Sequence, residues 1–307
     1  MELIATAESV EQSKQLLEAG ADWIIVGEDE FGLRLPYSFS LEEIKEVVEM
    51  AHTRGKKVIV AVNALMHNDR IEKVPHYLKQ LEALHVDAIT TGDPGVVRIL
   101  QKNNSSLAYI YDAQTMVTNS TQINFWAKRG AIGAVLAREL TYEELTIMSQ
   151  AVTVPVEILV YGATCIHQSK RLLVNNYFNY VNKDVPEAMK KRELFLSESN
   201  AENHYSIYED VNGTHVFATH DVNLLPHLDK LVEIGLNQWK LDGLFTKGEA
   251  FVKIVSLFSE AREAIRKEQW TDELAQQFNE QLHSLHPKER SLDEGFFLKD
   301  PDEIESK

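Results

Sequence analysis

Short runs of apolar residues alternate with longer stretches in which apolar positions recur every three or four residues, and this rhythm holds from the first residues to about position 267. The short runs predict buried strands at 3–6, 23–27, 57–62, 88–91, 107–111, 133–137, 156–161 and 239–244. The helical stretches predict helices at 10–19, 41–54, 71–84, 96–102, 122–129, 142–150, 225–234 and 250–267. Start signals agree: Ser40-Leu-Glu-Glu43 and Thr141-Tyr-Glu-Glu144 are capping-box patterns, while Gly20, Gly55, Gly130 and Gly235 stand where a helix should stop.

Strand and helix alternating through eight units argue for parallel strands and an α/β fold, a closed (β/α)8 TIM-like barrel, with an open doubly wound sheet as the rival. No GxGxxG fingerprint opens the first unit and no Walker pattern occurs, which removes the best support for that rival. The rhythm breaks at about 175–224. There Tyr205 to Val211, the pair Asn212-Gly213, and Thr214 to Thr219 read as a β-hairpin with a type I′ turn. This segment is expected to be an insertion between the seventh and eighth units that covers one mouth of the barrel. The expected organisation is a barrel with its insertion over 1–270, then a helix capped by Thr271 and an acidic, partly loose tail from Leu292, together 271–307.

The hydrophobic share of 44% and the charged share of 25% are those of a soluble globular protein. Neither a signal peptide nor an apolar run of about 18 residues is visible, so a cytoplasmic location and no membrane association are expected. One cysteine, Cys165, excludes an intrachain disulfide, a four-cysteine zinc site and an iron–sulfur cluster ligated by this chain alone. The formal charge of −16 speaks against nucleic-acid binding by the bulk surface, and the densest basic cluster, Lys190-Lys191-Arg192, reads as a solvated helix face.

In a barrel, side chains at the C-terminal strand ends converge on one cavity. That rule nominates Arg34, Asn63, Gln114, Asn119, Arg138, Glu139 and Tyr161 as ligand-binding residues, with Asp112 beside them. Arginine offers carboxylate a planar fork, and amides both donate and accept, so the set suits a polar or carboxylate-bearing small ligand. Glu157, Cys165, Lys240 and Asp242 are the candidates for chemistry. Glu157 to Cys165 places an acid, an apolar run, the small residues Gly162-Ala163 and the cysteine in succession: a strand, then small residues that let the backbone turn or approach something closely, then a position near Cys165 where a helix could begin. Lys240 and Asp242 alternate onto one strand face, where an ion pair inside the barrel is the competing reading. Arg138 and Glu139 can equally pair with each other. His215, His220 and His227 crowd the hairpin with Asp221, but their spacing matches no metal-binding pattern, and no metal is expected. No hydrolase triad is visible.

Together these residues resemble the collagenase-like U-32 peptidase family from about position 2 to beyond 296. The resemblance is carried by Gly20-Ala-Asp22 with Gly27, Phe31 and Leu33-Arg34, by Asp112-Ala-Gln114, Asn119 and Leu136-Ala-Arg-Glu-Leu140, by Glu157 to Cys165, and by Glu209 to Gly213, Asp221, Gly235 and Lys240-Leu-Asp-Gly243. Two departures stand out. Leu172 occupies the place of the signature's second cysteine, and Leu244 that of an arginine. The resemblance implies either a peptidase of unassigned mechanism or, as in several members, a part in hydroxylating the wobble uridine of tRNA, ribosomal RNA or a quinone precursor. A short, acidic member without cluster cysteines resembles one subunit of a prephenate-dependent tRNA-hydroxylating pair. The implied partner is a longer, cysteine-bearing paralogue that carries the iron–sulfur cluster and most of the tRNA contact, with prephenate as co-substrate and no cofactor on this chain. A non-catalytic role beside that paralogue is the third implication.

Overall fold

Eight parallel strands close into a ring in the computed structural model, which describes residues 1–190, 192–197 and 204–300. They are β1 (Glu2–Thr6), β2 (Trp23–Val26), β3 (Lys57–Ala61), β4 (Ala88–Thr91), β5 (Ala108–Tyr111), β6 (Ala131–Val135), the first half of β7 (Val156–Ser169) and, after β8 (Leu194–Ser197), β9 (His204–Asp210) and β10 (Gly213–Asn223), the last barrel strand β11 (Gln238–Leu241). β11 pairs with both β7 and β1, which leaves the ring no free edge. The strands are nearly continuous in apolar residues because both faces are covered. Ile4, Ile25, Ile59 and Ile110 fill the interior, and Leu3, Ile24, Val26, Val58, Val60 and Ile89 pack outward on the helices.

Local signals act as the chain chemistry dictates. Both capping boxes form, at Ser40 with Glu43 and at Thr141 with Glu144. Gly20, Gly55, Gly130 and Gly235 all take positive φ just past a helix end.

Of the two readings of Gly162-Ala163 the close approach holds and the turn does not form, and Cys165 lies on a strand rather than at a helix start. β7 instead runs past the barrel rim to Ser169, because its overhang pairs antiparallel with β10. Gly162, at φ +124, marks where β7 leaves the ring, and a Cβ there would come within 2.6 Å of the Asp242 carbonyl oxygen. Gly162→Ala is therefore expected to cost at least about 1–3 kcal/mol of stability, read from the urea unfolding midpoint. An unchanged midpoint would show that the approach of these two strand ends is dispensable.

Between β7 and β11 lie the helix Leu173–Tyr180, a short helix Glu187–Lys190 and strands β8 to β10. The hairpin turn corrects the sequence reading by one position. Gly213 pairs with Asp210, so the loop residues are Val211 and Asn212, and neither has the positive φ that a type I′ turn demands. The positive φ falls on Gly213 itself, where a Cβ would collide with the Ser169 carbonyl. The hairpin tip reaches the barrel: Asn212 Nδ2 donates to the carbonyls of Asp29 at 2.9 Å and Gly32 at 3.2 Å. Arg192 does not lie on a solvated helix face; it donates to the Leu35 carbonyl at 2.8 Å and stacks over Tyr208. Lys191 lies outside the described residues.

After the long helix Gly248–Arg266, the helix Asp272–Leu285 is capped by Thr271 as its sequence predicts. Beyond it, β12 (Ser291–Asp293) pairs with β10, Arg290 forms a buried ion pair with Asp221 at 2.6 Å, and Phe297 packs edge-on to Tyr142. These contacts tie the expected tail to the barrel as far as residue 300, and residues 301–307 lie outside the described part of the chain.

Candidate functional site

A cavity of about 330 Å3 opens at the C-terminal ends of the barrel strands. Arg34, Asn63, Gln114, Arg138, Glu139, Cys165, Lys240 and Asp242 all line it, brought from the ends of β2, β3, β5, β6 and β11 and from the overhang of β7. Its floor is the interior layer of Ile25, Ala61 and Leu35.

One side of the wall is a connected polar network. The buried Asp112 carboxylate accepts from Asn63 Nδ2 at 2.6 Å and from Gln114 Nε2 at 2.7 Å. With its amide nitrogen held by Asp112, Gln114 turns its carbonyl oxygen to the guanidinium of Arg34. Arg34 also donates to Gln168 Oε1 at 2.9 Å. Both acceptors are neutral amides, and among the described residues no carboxylate lies within ion-pair distance of Arg34. Arg34 and Gln114 both hold left-handed backbone, at φ +54 and +57, a conformation that non-glycine residues adopt at a cost and that concentrates at functional sites. Two more wall groups, Thr90 Oγ1 and Gln168 Nε2, are buried without a hydrogen-bond partner. Unpartnered donors beside an unpaired guanidinium describe a receptor for an anion with oxygen acceptors.

The other side is internally balanced. Arg138 pairs with Asp242 at 3.7 Å and donates to the Ala163 carbonyl, rather than pairing with Glu139. Lys240 pairs with Glu157 at 3.3 Å inside the barrel, so Lys240 and Asp242, though on one strand face, each pair with a different residue. Glu157 is 1% exposed and lies below the cavity rather than on its wall. Burial pushes its carboxyl above the ordinary range, and Lys240 only partly opposes this.

Two nominated residues lie elsewhere. Tyr161 faces outward, bonding Thr246 Oγ1 at 2.7 Å and His286 Nδ1 at 2.8 Å among the rings of Phe251 and Phe258. The cause is a register shift: Lys240 pairs with Leu159 and Leu241 with Tyr161, so β7 holds one extra residue and the in–out parity flips. Asn119 is exposed and caps the helix Ser120–Ala127 by accepting from the Gln122 amide at 2.9 Å. Asparagine is among the best N-cap residues, which is the signal that its position after a strand obscured.

Absent from the sequence candidates was the hairpin's share. His215, fully buried, bonds Asp210 through Nε2 at 3.0 Å, and it and the thiol of Cys165 act on one another electrostatically. Burial raises the thiol, but His215 and the guanidinium groups of Arg34 and Arg138 outweigh it and leave Cys165 below its ordinary value. Burial likewise lowers His215, and Asp210 and Cys165 reverse that to leave it raised. His220 and His227 are occupied separately, by Ser291 and Glu294, so the histidines near the hairpin do not converge. Among the described residues no group of three or more His, Cys, Asp or Glu is arranged to hold a metal ion. The iron–sulfur cluster of the resembling family does not fit here: one thiolate, ringed by a histidine and two arginines, cannot supply the four ligands such a cluster takes.

Comparison with known proteins gives a consistent picture. The family described as Peptidase family U32 matches residues 8–307. The chain is 36% identical to "tRNA hydroxylation protein P2" of Bacillus subtilis (strain 168), over 97% of this chain and 98% of that protein. It is 26% identical to "tRNA hydroxylation protein P1" of the same organism, over 89% of this chain and 67% of that one. Among solved structures, "The Structure of the U32 Peptidase Mk0906" superposes over 81% of this chain and 94% of that chain, with a TM-score of 0.50 at 16% identity, a likeness of fold.

Proposed function

The chain belongs to peptidase family U32, and from that premise we propose that it is a subunit of a tRNA-hydroxylating system whose barrel mouth binds a small carboxylate. The observation that carries this reading is the match to tRNA hydroxylation protein P2, which runs over nearly the whole of both proteins. The site is consistent with it. An unpaired guanidinium, two orphaned polar groups and a preset amide network suit a dicarboxylate, and prephenate is the proposed co-substrate. The target is the wobble uridine. With a formal charge of −16, this chain would leave most of the tRNA contact to a longer, cysteine-bearing paralogue, which would also hold the iron–sulfur cluster; the relatives' names P1 and P2 support such a pair. A strain lacking this chain is expected to lose 5-hydroxyuridine derivatives from its tRNA, measured by mass spectrometry of digested nucleosides. Unchanged derivatives would overturn the reading.

A peptidase reading draws on one specific observation, the succession Cys165, His215 and Asp210. The geometry around it disfavours polypeptide. The cysteine lies in a pit of about 330 Å3 under the hairpin, sized for a small molecule rather than an extended chain. Purified protein is expected to leave casein and gelatin intact over a day, with or without divalent metal, and cleavage abolished by Cys165→Ser would favour the peptidase instead.

A further inference from the structure

Cys165 is half-buried on the cavity wall, with its thiol donating to the His167 carbonyl at 3.3 Å. Behind it stands His215, 0% exposed, whose Nε2 is fixed by Asp210 at 3.0 Å and whose Nδ1 has no hydrogen-bond partner. A fully buried imidazole nitrogen left bare beside a thiol is an expensive arrangement unless that nitrogen has work toward the sulfur or toward something bound to it. Tyr208 lies tilted against the imidazole at a centroid distance of 5.0 Å, and Ala163, Phe217 and Leu244 join it in a small apolar cluster, so the ring has little freedom to turn away. The same cavity is lined by Arg34, free of any carboxylate partner among the described residues, and by Arg138.

We propose that Cys165, backed by His215 and Asp210 and faced by Arg34 and Arg138, is a nucleophile that covalently captures a small carboxylate-bearing electrophile. The guanidinium groups hold the carboxylate and so place the electrophilic carbon beside the sulfur. With an α,β-unsaturated acid, the thiol first passes its proton to His215 Nδ1, and the thiolate pair forms the S–C bond at the β-carbon. The former π pair then moves to the α-carbon, which takes that same proton from His215, and the net change is addition of the thiol across the double bond. With an α-halo acid the same attack expels halide and needs no proton. The proposal rests on the reading of this cavity as a carboxylate site, and not on the tRNA reading.

Alkylation rates test it directly, with iodoacetate as the anionic probe, iodoacetamide as its neutral counterpart and N-acetylcysteine as the reference thiol, at pH 7. Cys165 is expected to react at least about 10-fold faster than the reference with iodoacetamide. Its preference for iodoacetate over iodoacetamide is expected to exceed that of the reference by at least about 10-fold. His215→Asn and Asp210→Asn should slow both reagents alike, whereas Arg34→Gln should erase the preference for the anion. The wild-type rates stand even if a variant fails to fold. Rates at the reference level with both reagents would overturn the nucleophile. A fast thiol without anionic preference would overturn the carboxylate class and the carboxylate reading of the cavity with it. Neither result touches the tRNA reading, which the deletion strain decides separately.

Discussion

Arg34→Gln is expected to bind a dicarboxylate such as prephenate about 50- to 100-fold more weakly than wild type, a loss of about 2–3 kcal/mol. The expectation follows from what Arg34 touches. Its guanidinium spends hydrogen bonds on the Gln114 and Gln168 carbonyl oxygens but neutralises no carboxylate among the described residues, so its charge is available to a ligand. In a half-closed pit a charge-assisted fork is worth more than a neutral bond, and glutamine cannot replace it. Stability should change by less than about 1 kcal/mol, because no ion pair is broken. Arg34→Lys keeps the charge and loses the fork, so its affinity should fall between the two. Isothermal titration with the dicarboxylate measures all three proteins, and equal dissociation constants would remove Arg34 from the site.

Lys240→Met is the second large effect, and it falls on stability. Removing the lysine leaves Glu157, 1% exposed and with both carboxyl oxygens otherwise unpartnered, alone in the barrel, at an expected cost of about 3–5 kcal/mol. The double variant Glu157→Leu with Lys240→Met should recover most of that loss, since a well-packed apolar pair can replace a buried ion pair. Wild type and the double variant should also differ in pH dependence. Burial raises the folded-state carboxyl of Glu157, so the folded protein binds the extra proton in the window above the ordinary carboxyl value. Wild-type stability therefore declines as pH rises from about 4.5 through the raised value, while the double variant lacks that decline. Urea unfolding across that range measures both the cost and its slope, and parallel pH profiles would contradict the burial argument.

The barrel was legible because its information is local. The barrel strands are short apolar runs, several ended by a glycine such as Gly27 or Gly92, and Ser40 and Thr141 announce their helices within four residues. What escaped depends on partners distant in the chain. The overhang of β7 is a strand only because β10, about fifty residues later, pairs with it; on its own, Gly162-Ala163 reads as a turn. The outward turn of Tyr161 comes from one extra residue in β7 relative to β11, which no alternation count within β7 reveals. Most of the cavity wall could be read from the rule that strand ends converge, as Arg34, Asn63, Gln114 and Arg138 show. His215 could not, because the hairpin reaches Cys165 through the fold rather than through sequence spacing.

The most direct test of the cavity's role combines the two halves of the reading in one strain. The chromosomal copy is replaced by Arg34→Gln, the protein level is checked by immunoblot, and tRNA nucleosides are quantified by mass spectrometry. The expected result is normal protein abundance with 5-hydroxyuridine derivatives reduced at least about 10-fold, the in-cell trace of a ligand bound about 2–3 kcal/mol more weakly. Wild-type levels of those derivatives, with the variant protein equally abundant, would contradict the claim that this pit serves tRNA hydroxylation.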